Sequence, residues 1–252
     1  MRFASLGSGS RGNAFVIEAG RTRVLIDCGF GPREAQARLG RFGLTPDDLT
    51  AILVTHEHSD HLNGVFALGA RYAVAVHMTR GTCAAIDTNA TTVECFDSQA
   101  AFAVEDLEIR PFPVPHDARE PVQFVISDGA RRLGLLTDIG YVTRHVEGML
   151  SGCDALVVEC NHDASLLAAS DYPARLKRRI SGNFGHLSNG AAARLLQRIN
   201  RAPLQHVVAA HLSQHNNRPE LARNALAGAL GCSPDWIGIA DQTTGLEWRQ
   251  IG

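Results

Sequence analysis

The spacing of apolar and polar positions divides the chain into two β-rich stretches, each followed by helical ones. In the first stretch, Arg2–Leu6, Ala14–Glu18 and Arg23–Asp27 read as strands, with Gly7-Ser8-Gly9-Ser10-Arg11-Gly12-Asn13 as the first connection. Pro32–Phe42 suits a helix with proline in its first turn. Ala51-Ile52-Leu53-Val54 is a short continuous apolar run, as in a buried strand, so the polar residues from Thr55 onward hang off its C-terminal end. Further strands are expected at Ala73–His77, Thr92–Phe96, Leu107–Phe112, Val122–Ser127 and Arg132–Thr137. Later, Ala155–Glu159 and Gln205–Ala210 read as strands between helices, and Ser188–Asn200 as a helix with a cap at its start. A terminal strand pair, Trp236–Ile239 with Leu246–Gln250, is expected to close the chain. No linker, low-complexity tract or short-period repeat interrupts residues 1–252. The pattern implies one unit in which two sheets pack face to face with helices outside.

Composition narrows this picture. Hydrophobic residues make up 45% of 252 and charged ones 20%, enough for a core that needs neither metal nor disulfide. A formal charge of -2 argues against gripping nucleic acid by bulk charge but leaves room for a local patch. The densest positive run, Arg175-Leu176-Lys177-Arg178-Arg179, fits either a grip on successive phosphates or a solvated helix face. The six cysteines form no C-x-x-C pair and read as small hydrophobes in a reducing compartment. No apolar run suits a signal peptide or a membrane span, so the expectation is a cytoplasmic protein without membrane contact.

The chemistry concentrates in Thr55-His56-Glu57-His58-Ser59-Asp60-His61. Three imidazoles and a carboxylate just past a buried strand would crowd one another, each needing its own hydrogen-bond partner. A divalent cation resolves this, because neutral imidazole nitrogens and carboxylates are its natural ligands. With 11 histidines in 252 residues, four such fixed positions recur by accident in roughly one such chain in a thousand.

His-x-His-x-Asp-His after a buried strand resembles the metallo-β-lactamase superfamily. Its later landmarks follow in order: Pro115-His116-Asp117, Leu136-Thr137-Asp138 and Ala210-His211-Leu212-Ser213. The resemblance implies an α/β (α+β) chain folded as a four-layer αββα sandwich, with the metals at one edge. It also implies two divalent ions, zinc ahead of manganese. His56, His58 and His116 would hold one ion, Asp60, His61 and His211 the other, and Asp138 would bridge them. An aspartate at 138, where the antibiotic-hydrolysing branch carries cysteine, resembles the nuclease, phosphodiesterase and dinuclear thioesterase branches.

Ser181-Gly182-Asn183-Phe184-Gly185-His186-Leu187-Ser188-Asn189 is similar to the Gly-His-Ser-Thr segment of the tRNA 3′-processing ribonucleases. By that likeness His186 pairs with Glu159 and protonates the leaving oxygen, since a carboxylate can keep an imidazole charged and aimed. A plain helix N-terminus is the competing explanation for His186. Gly9-Ser10-Arg11-Gly12-Asn13, Glu159-Cys160-Asn161-His162-Asp163, Gly185-His186-Leu187-Ser188-Asn189 and His211-Leu212-Ser213-Gln214-His215-Asn216-Asn217 look like signatures of the compact WalJ/YycJ-type proteins. That likeness implies 5′-to-3′ exonuclease action on nucleic acid, DNA ahead of RNA. It also implies a substrate-binding role for Arg11, Asn13, His162, Ser188 and Asn189. The catalytic set is then His186, Glu159 and Asp60, around a metal-activated hydroxide that attacks phosphorus. A glyoxalase-II-like thioesterase and a non-catalytic metal-binding regulator remain the alternatives.

Overall fold

The computed structural model describes residues 1–86 and 92–252. Its strands are β1 (Arg2–Gly7), β2 (Ala14–Ala19), β3 (Thr22–Ile26), β4 (Ala51–Leu53), β5 (Ala75–Thr79), β6 (Val93–Phe96) and β7 (Phe102–Val104). They continue with β8 (Leu107–Pro113), β9 (Val122–Ser127), β10 (Arg132–Leu136), β11 (Ala155–Glu159), β12 (His206–Ala210), β13 (Gly238–Ile239) and β14 (Leu246–Gln250). Two seven-stranded sheets result, ordered β14-β1-β2-β3-β4-β5-β6 and β13-β12-β11-β10-β9-β8-β7.

Alternation along the strands explains the layering. Phe15, Ile17, Val24, Ile26 and Leu53 point inward and meet Ile109, Phe124, Ile126, Leu135 and Val157 of the other sheet in a central core. Their neighbours Ala14, Val16, Leu25 and Ile52 face outward, under Ala35, Leu39, Val65 and Leu68 of the helices Pro32–Gly40 and Val65–Tyr72. On the far side Leu136, Leu156, Val158 and Val207 lie beneath Ala192, Leu195 and Leu196 of the helix Asn189–Arg198 and Leu226 of the helix Pro219–Leu230. Both faces of both sheets are therefore covered, which is why the strands read as nearly unbroken apolar runs. Layer by layer, the order is αββα.

One expectation fails. The last two strands do not pair with each other: β13 runs parallel to β12 in the second sheet, and β14 runs antiparallel to β1 in the first. The chain crosses between the sheets through a turn closed by Asp241 and Gly245. Gly245 has a φ of +69°, and a Cβ there would lie 1.9 Å from the Ser5 carbonyl oxygen, so only glycine makes this crossing. Trp236 also leaves the strand, because Pro234 starts a 3₁₀ turn over Pro234–Trp236. The expected helix Ser188–Asn200 shortens to Asn189–Arg198, with Ser188 as its cap. No disulfide joins the cysteines; Cys28, Cys153 and Cys160 are buried and Cys95 is exposed.

Strands β3, β4, β5 and β6 run parallel, as do β10, β11, β12 and β13. Strand β8 shares the sense of β10, since both are antiparallel to β9. The C-terminal ends of β3, β4, β8, β10, β11 and β12 release Asp27, His56, His116, Asp138, Glu159 and His211 respectively. Carboxyl ends of parallel strands are where open sheets build their sites.

Candidate metal centre and active site

Seven side chains from four segments converge at this edge. His56 Nε2 lies 3.0 Å from His58 Nδ1, and His116 Nε2 lies 3.3 Å from the same atom. The three rings offer nitrogens within 4.8 Å of one another, and Asp60, His61 and His211 form a second such group. Asp138 stands between the two, with Oδ2 3.1 Å from His61 Nε2 and Oδ1 3.7 Å from His116 Nε2.

Each ring is aimed by a partner behind it. His61 Nδ1 donates to Asp27 Oδ2 at 2.7 Å, His116 Nδ1 to the Gly185 carbonyl at 3.0 Å, and His211 Nδ1 to the Thr137 carbonyl at 2.9 Å. Thr55 Oγ1 lies 2.8 Å from Asp27 Oδ2 and 2.9 Å from His56 Nδ1, so it donates to the carboxylate and accepts from the ring. Such outer partners fix the tautomer and turn the other ring nitrogen toward a cation.

The donor set fits divalent metal. Asp138 Oδ2 and His211 Nε2 are buried and make no hydrogen bond, although Oδ2 sits at ion-pair distance from His61. Orphaned buried polar atoms are costly unless a ligand meets them. Burial disfavours charge on His61 and His211, but Asp138 outweighs it, assisted at His61 by Asp27, and holds both rings well above their ordinary range. Burial likewise opposes ionisation of Asp138, yet His211 and His61 hold its carboxyl well below the usual range. His56 goes the other way: burial, reinforced by the charge of His61, pushes it well down.

Metal loading is therefore expected to release protons at neutral pH, because His61 and His211 must become neutral to bind. The sign follows: affinity falls as pH drops. Calorimetric titration in buffers of different ionisation enthalpy reads the count, and proton uptake on loading would contradict this account.

Asp27 and Thr55 escaped the sequence reading. The available signal was only an aspartate closing the apolar run Val24-Leu25-Ile26 at a strand end; its burial emerges in the fold. Asp27 holds a left-handed φ of +59° and also accepts from the Thr55 N–H at 2.8 Å. Asp27→Asn keeps that backbone and removes the charge, and is expected to weaken metal binding by about 10–100-fold. Competition with a chromophoric chelator measures this, and unchanged affinity would reject the supporting role.

His186 stands at the edge of the centre. Its Nδ1 lies 2.8 Å from Glu159 Oε1, while Glu159 Oε2 accepts from the Ile139 and Leu187 N–H groups at 3.0 and 2.9 Å. Burial would lower the imidazole, but Glu159 reverses this and raises it above its ordinary value. Gly185 makes the placement possible: a Cβ there would sit 2.1 Å from the Arg179 carbonyl oxygen. The loop thus lies directly on the end of the basic helix Ala174–Ile180.

The mouth of the centre, a cavity of about 300 Å³, is lined by Ser10, His58, Asp60, Asp138, Arg179 and His186, among others. Arg179 is exposed there, and its Nε donates to Asp117 Oδ2 at 2.8 Å. The basic run divides accordingly. Arg179 reaches the mouth, Lys177 Nζ donates to the Ala168 carbonyl, and Arg175 and Arg178 face solvent.

The residues expected at the substrate distribute differently. Asn13 is buried beneath the ligands, its Nδ2 3.1 Å from His61 Nε2 and its Oδ1 accepting from Gly9 N and Ser8 Oγ at 2.9 Å each. It ties the glycine-rich loop to the centre and does not line the mouth. Asn189 is buried in a reciprocal amide pair with Asn217 at 2.8 Å. Ser188 caps a helix through the Ala191 N–H at 3.3 Å. Arg11 remains exposed, its backbone N–H held by Gln242 Oε1. His162 lines a second cavity together with His186.

The family model described as a beta-lactamase superfamily domain matches residues 22–212, a span that carries every ligand segment. The chain belongs to the metallo-β-lactamase superfamily. Among proteins of this superfamily it is 34% identical over 236 residues to the exodeoxyribonuclease YycJ of Bacillus anthracis, covering 91% of this chain and 89% of the relative. It is 31% identical over 245 residues to the exodeoxyribonuclease WalJ of Streptococcus pneumoniae, covering 94% and 91%. The metallo-β-lactamase fold protein YhfI of Bacillus subtilis superposes with a TM-score of 0.77 at 15% identity, covering 99% of each chain, and so shares the fold. The αββα order, the convergent imidazoles and carboxylates, and full-length nuclease relatives make this metallo-β-lactamase chain a metal-dependent hydrolase. No helix among the described residues is long and apolar enough to cross a membrane.

Proposed function

We propose that the chain is a dinuclear phosphodiesterase that degrades nucleic acid, DNA ahead of RNA, from the 5′ end. One observation carries the reading most directly: the Glu159–His186 pair stands beside two adjoining ligand groups at a mouth that also holds Arg179. The YycJ and WalJ relatives, both exodeoxyribonucleases by name, support DNA as the substrate.

His56, His58 and His116 would hold one divalent ion, Asp60, His61 and His211 the second, with Asp138 shared. Zinc suits this donor set best, and manganese is the second choice. Bound there, the ions would lower the pKa of water toward about 7 and draw charge off the phosphoryl oxygens. The remaining chemistry belongs to side chains. Asp60 and Asp138 return only two negative charges to the pocket, which keeps it attractive to a phosphodiester. Arg179 orients the incoming phosphate. His186, charged and aimed by Glu159, gives a proton to the leaving oxygen.

That donor also separates this reading from thioester hydrolysis. A thiolate is a weak base and leaves with little help, whereas a sugar alkoxide needs a proton as its bond breaks. The deciding experiment is a panel of 5′-phosphorylated single- and double-stranded DNA and RNA, bis(p-nitrophenyl) phosphate and an acyl thioester, with zinc or manganese. Phosphodiester cleavage, with DNA leading, is expected. Turnover confined to the thioester would overturn the assignment.

A further inference from the structure

A second cavity of about 400 Å³ adjoins the mouth, and His186 forms part of the wall of both. It opens between the loop after β10, the loop after β11 and the helix Asn189–Arg198. Its volume falls within the roughly 300–1,000 Å³ typical of small-molecule sites.

The lining is graded. Leu195 is buried at the bottom, whereas Tyr141, 46% exposed, and Arg194 lie at the rim. His162 is buried, makes no side-chain hydrogen bond among the described residues, and leaves Nδ1 without a partner. Ala191, Arg194, Leu195 and Arg198 recur at i, i+3, i+4 and i+7, so the helix turns one face to the cavity. Arg198 is committed to Glu147 at 3.1 Å, while Arg194 has no carboxylate partner among the described residues. An aromatic rim, an apolar floor, an unpartnered imidazole and an unpaired guanidinium are what a base, a sugar and a phosphate would each require.

We propose that this cavity seats the single departing nucleotide, with its base against Tyr141 and Leu195, a polar edge within reach of His162, and its own phosphate on Arg194. The inference rests on His186 as proton donor. When the P–O bond breaks, the hydroxyl of water goes to phosphorus and its other proton to solvent, while the proton of His186 goes to the leaving oxygen and is then replaced from solvent. The broken bond lies on the metal side of the ring, so the group that carries the protonated oxygen extends to the other side. A cavity of this size takes one unpaired nucleotide and not a duplex end, so the enzyme should shorten unpaired ends and release mononucleotides.

The test uses metal-loaded protein and the variants Ala191→Phe, which fills the cavity, and Arg194→Glu, which reverses the rim charge. Wild type should release mononucleotides from single-stranded DNA and bind 2′-deoxyadenosine 5′-monophosphate. Both variants should lose that binding and slow DNA degradation about tenfold or more, with Arg194→Glu acting mainly through KM. Turnover of bis(p-nitrophenyl) phosphate should stay within about twofold, because its small leaving group needs no such seat; that control also shows that each variant folds. Unchanged DNA degradation and nucleotide binding in both variants, or oligonucleotide products from wild type, would overturn the proposal. A wild type inactive on both DNA and the aryl diester would instead sink the phosphodiesterase reading, and this inference with it.

Discussion

Asp138→Ala is expected to yield folded protein that holds at most one metal ion and cleaves phosphodiesters about a thousandfold more slowly, or worse. Folding should survive because the three hydrophobic clusters are built from other residues. The carboxylate also stabilises imidazolium at His61 and His211 in the metal-free chain, and without it both rings can shed their protons instead of leaving charge stranded. What does not survive is the geometry: Asp138 reaches both ligand groups, through Oδ2 at His61 and Oδ1 at His116. Elemental analysis with a single-turnover assay reads both quantities. Two retained ions together with activity within tenfold of wild type would refute the shared-ligand role.

His186→Ala should behave differently. Metal content is expected to stay at the wild-type level, while DNA cleavage falls by about 10²–10⁴, the usual worth of a positioned acid. Cleavage of bis(p-nitrophenyl) phosphate should fall much less, since nitrophenolate departs without a proton. Glu159→Gln sharpens the point. Glu159 raises the His186 imidazole, so its loss should let that ring deprotonate at lower pH. An acid must be protonated to act, and the alkaline limb of the DNA rate profile should therefore move toward lower pH. Loss of an ion in His186→Ala, or an unmoved limb in Glu159→Gln, would remove His186 from the chemistry.

The metal centre was legible because its residues are rare and closely spaced: three histidines and an aspartate in six positions are conspicuous in any chain. The strands were legible because burial on both faces leaves runs such as Ala51–Leu53 almost wholly apolar. Less visible were features that depend on partners distant in sequence. Asp27 reads as an ordinary strand-end aspartate until the fold sets it 2.7 Å from His61. Asn13 and Asn189 sit in phrases that look functional, yet the fold spends their amides on a loop and on Asn217. The closing strands misled for the same reason. A short turn between two strand-like segments suggests a hairpin, and nothing local reveals that each segment finds its hydrogen bonds in a different sheet.

That crossover bears on how the protein is made. Until Leu246–Gln250 has been synthesised, β1 presents an open row of backbone donors and acceptors, and one of the two sheets waits for its border strand. The contact that closes it, the Ile251 N–H on the Met1 carbonyl, joins residues very far apart in sequence and is among the slowest kinds to find. A nascent chain would thus carry all seven metal-binding residues before its architecture is sealed. A ribosome stalled near residue 245 should present a sticky, proteolysis-sensitive intermediate in place of a working enzyme.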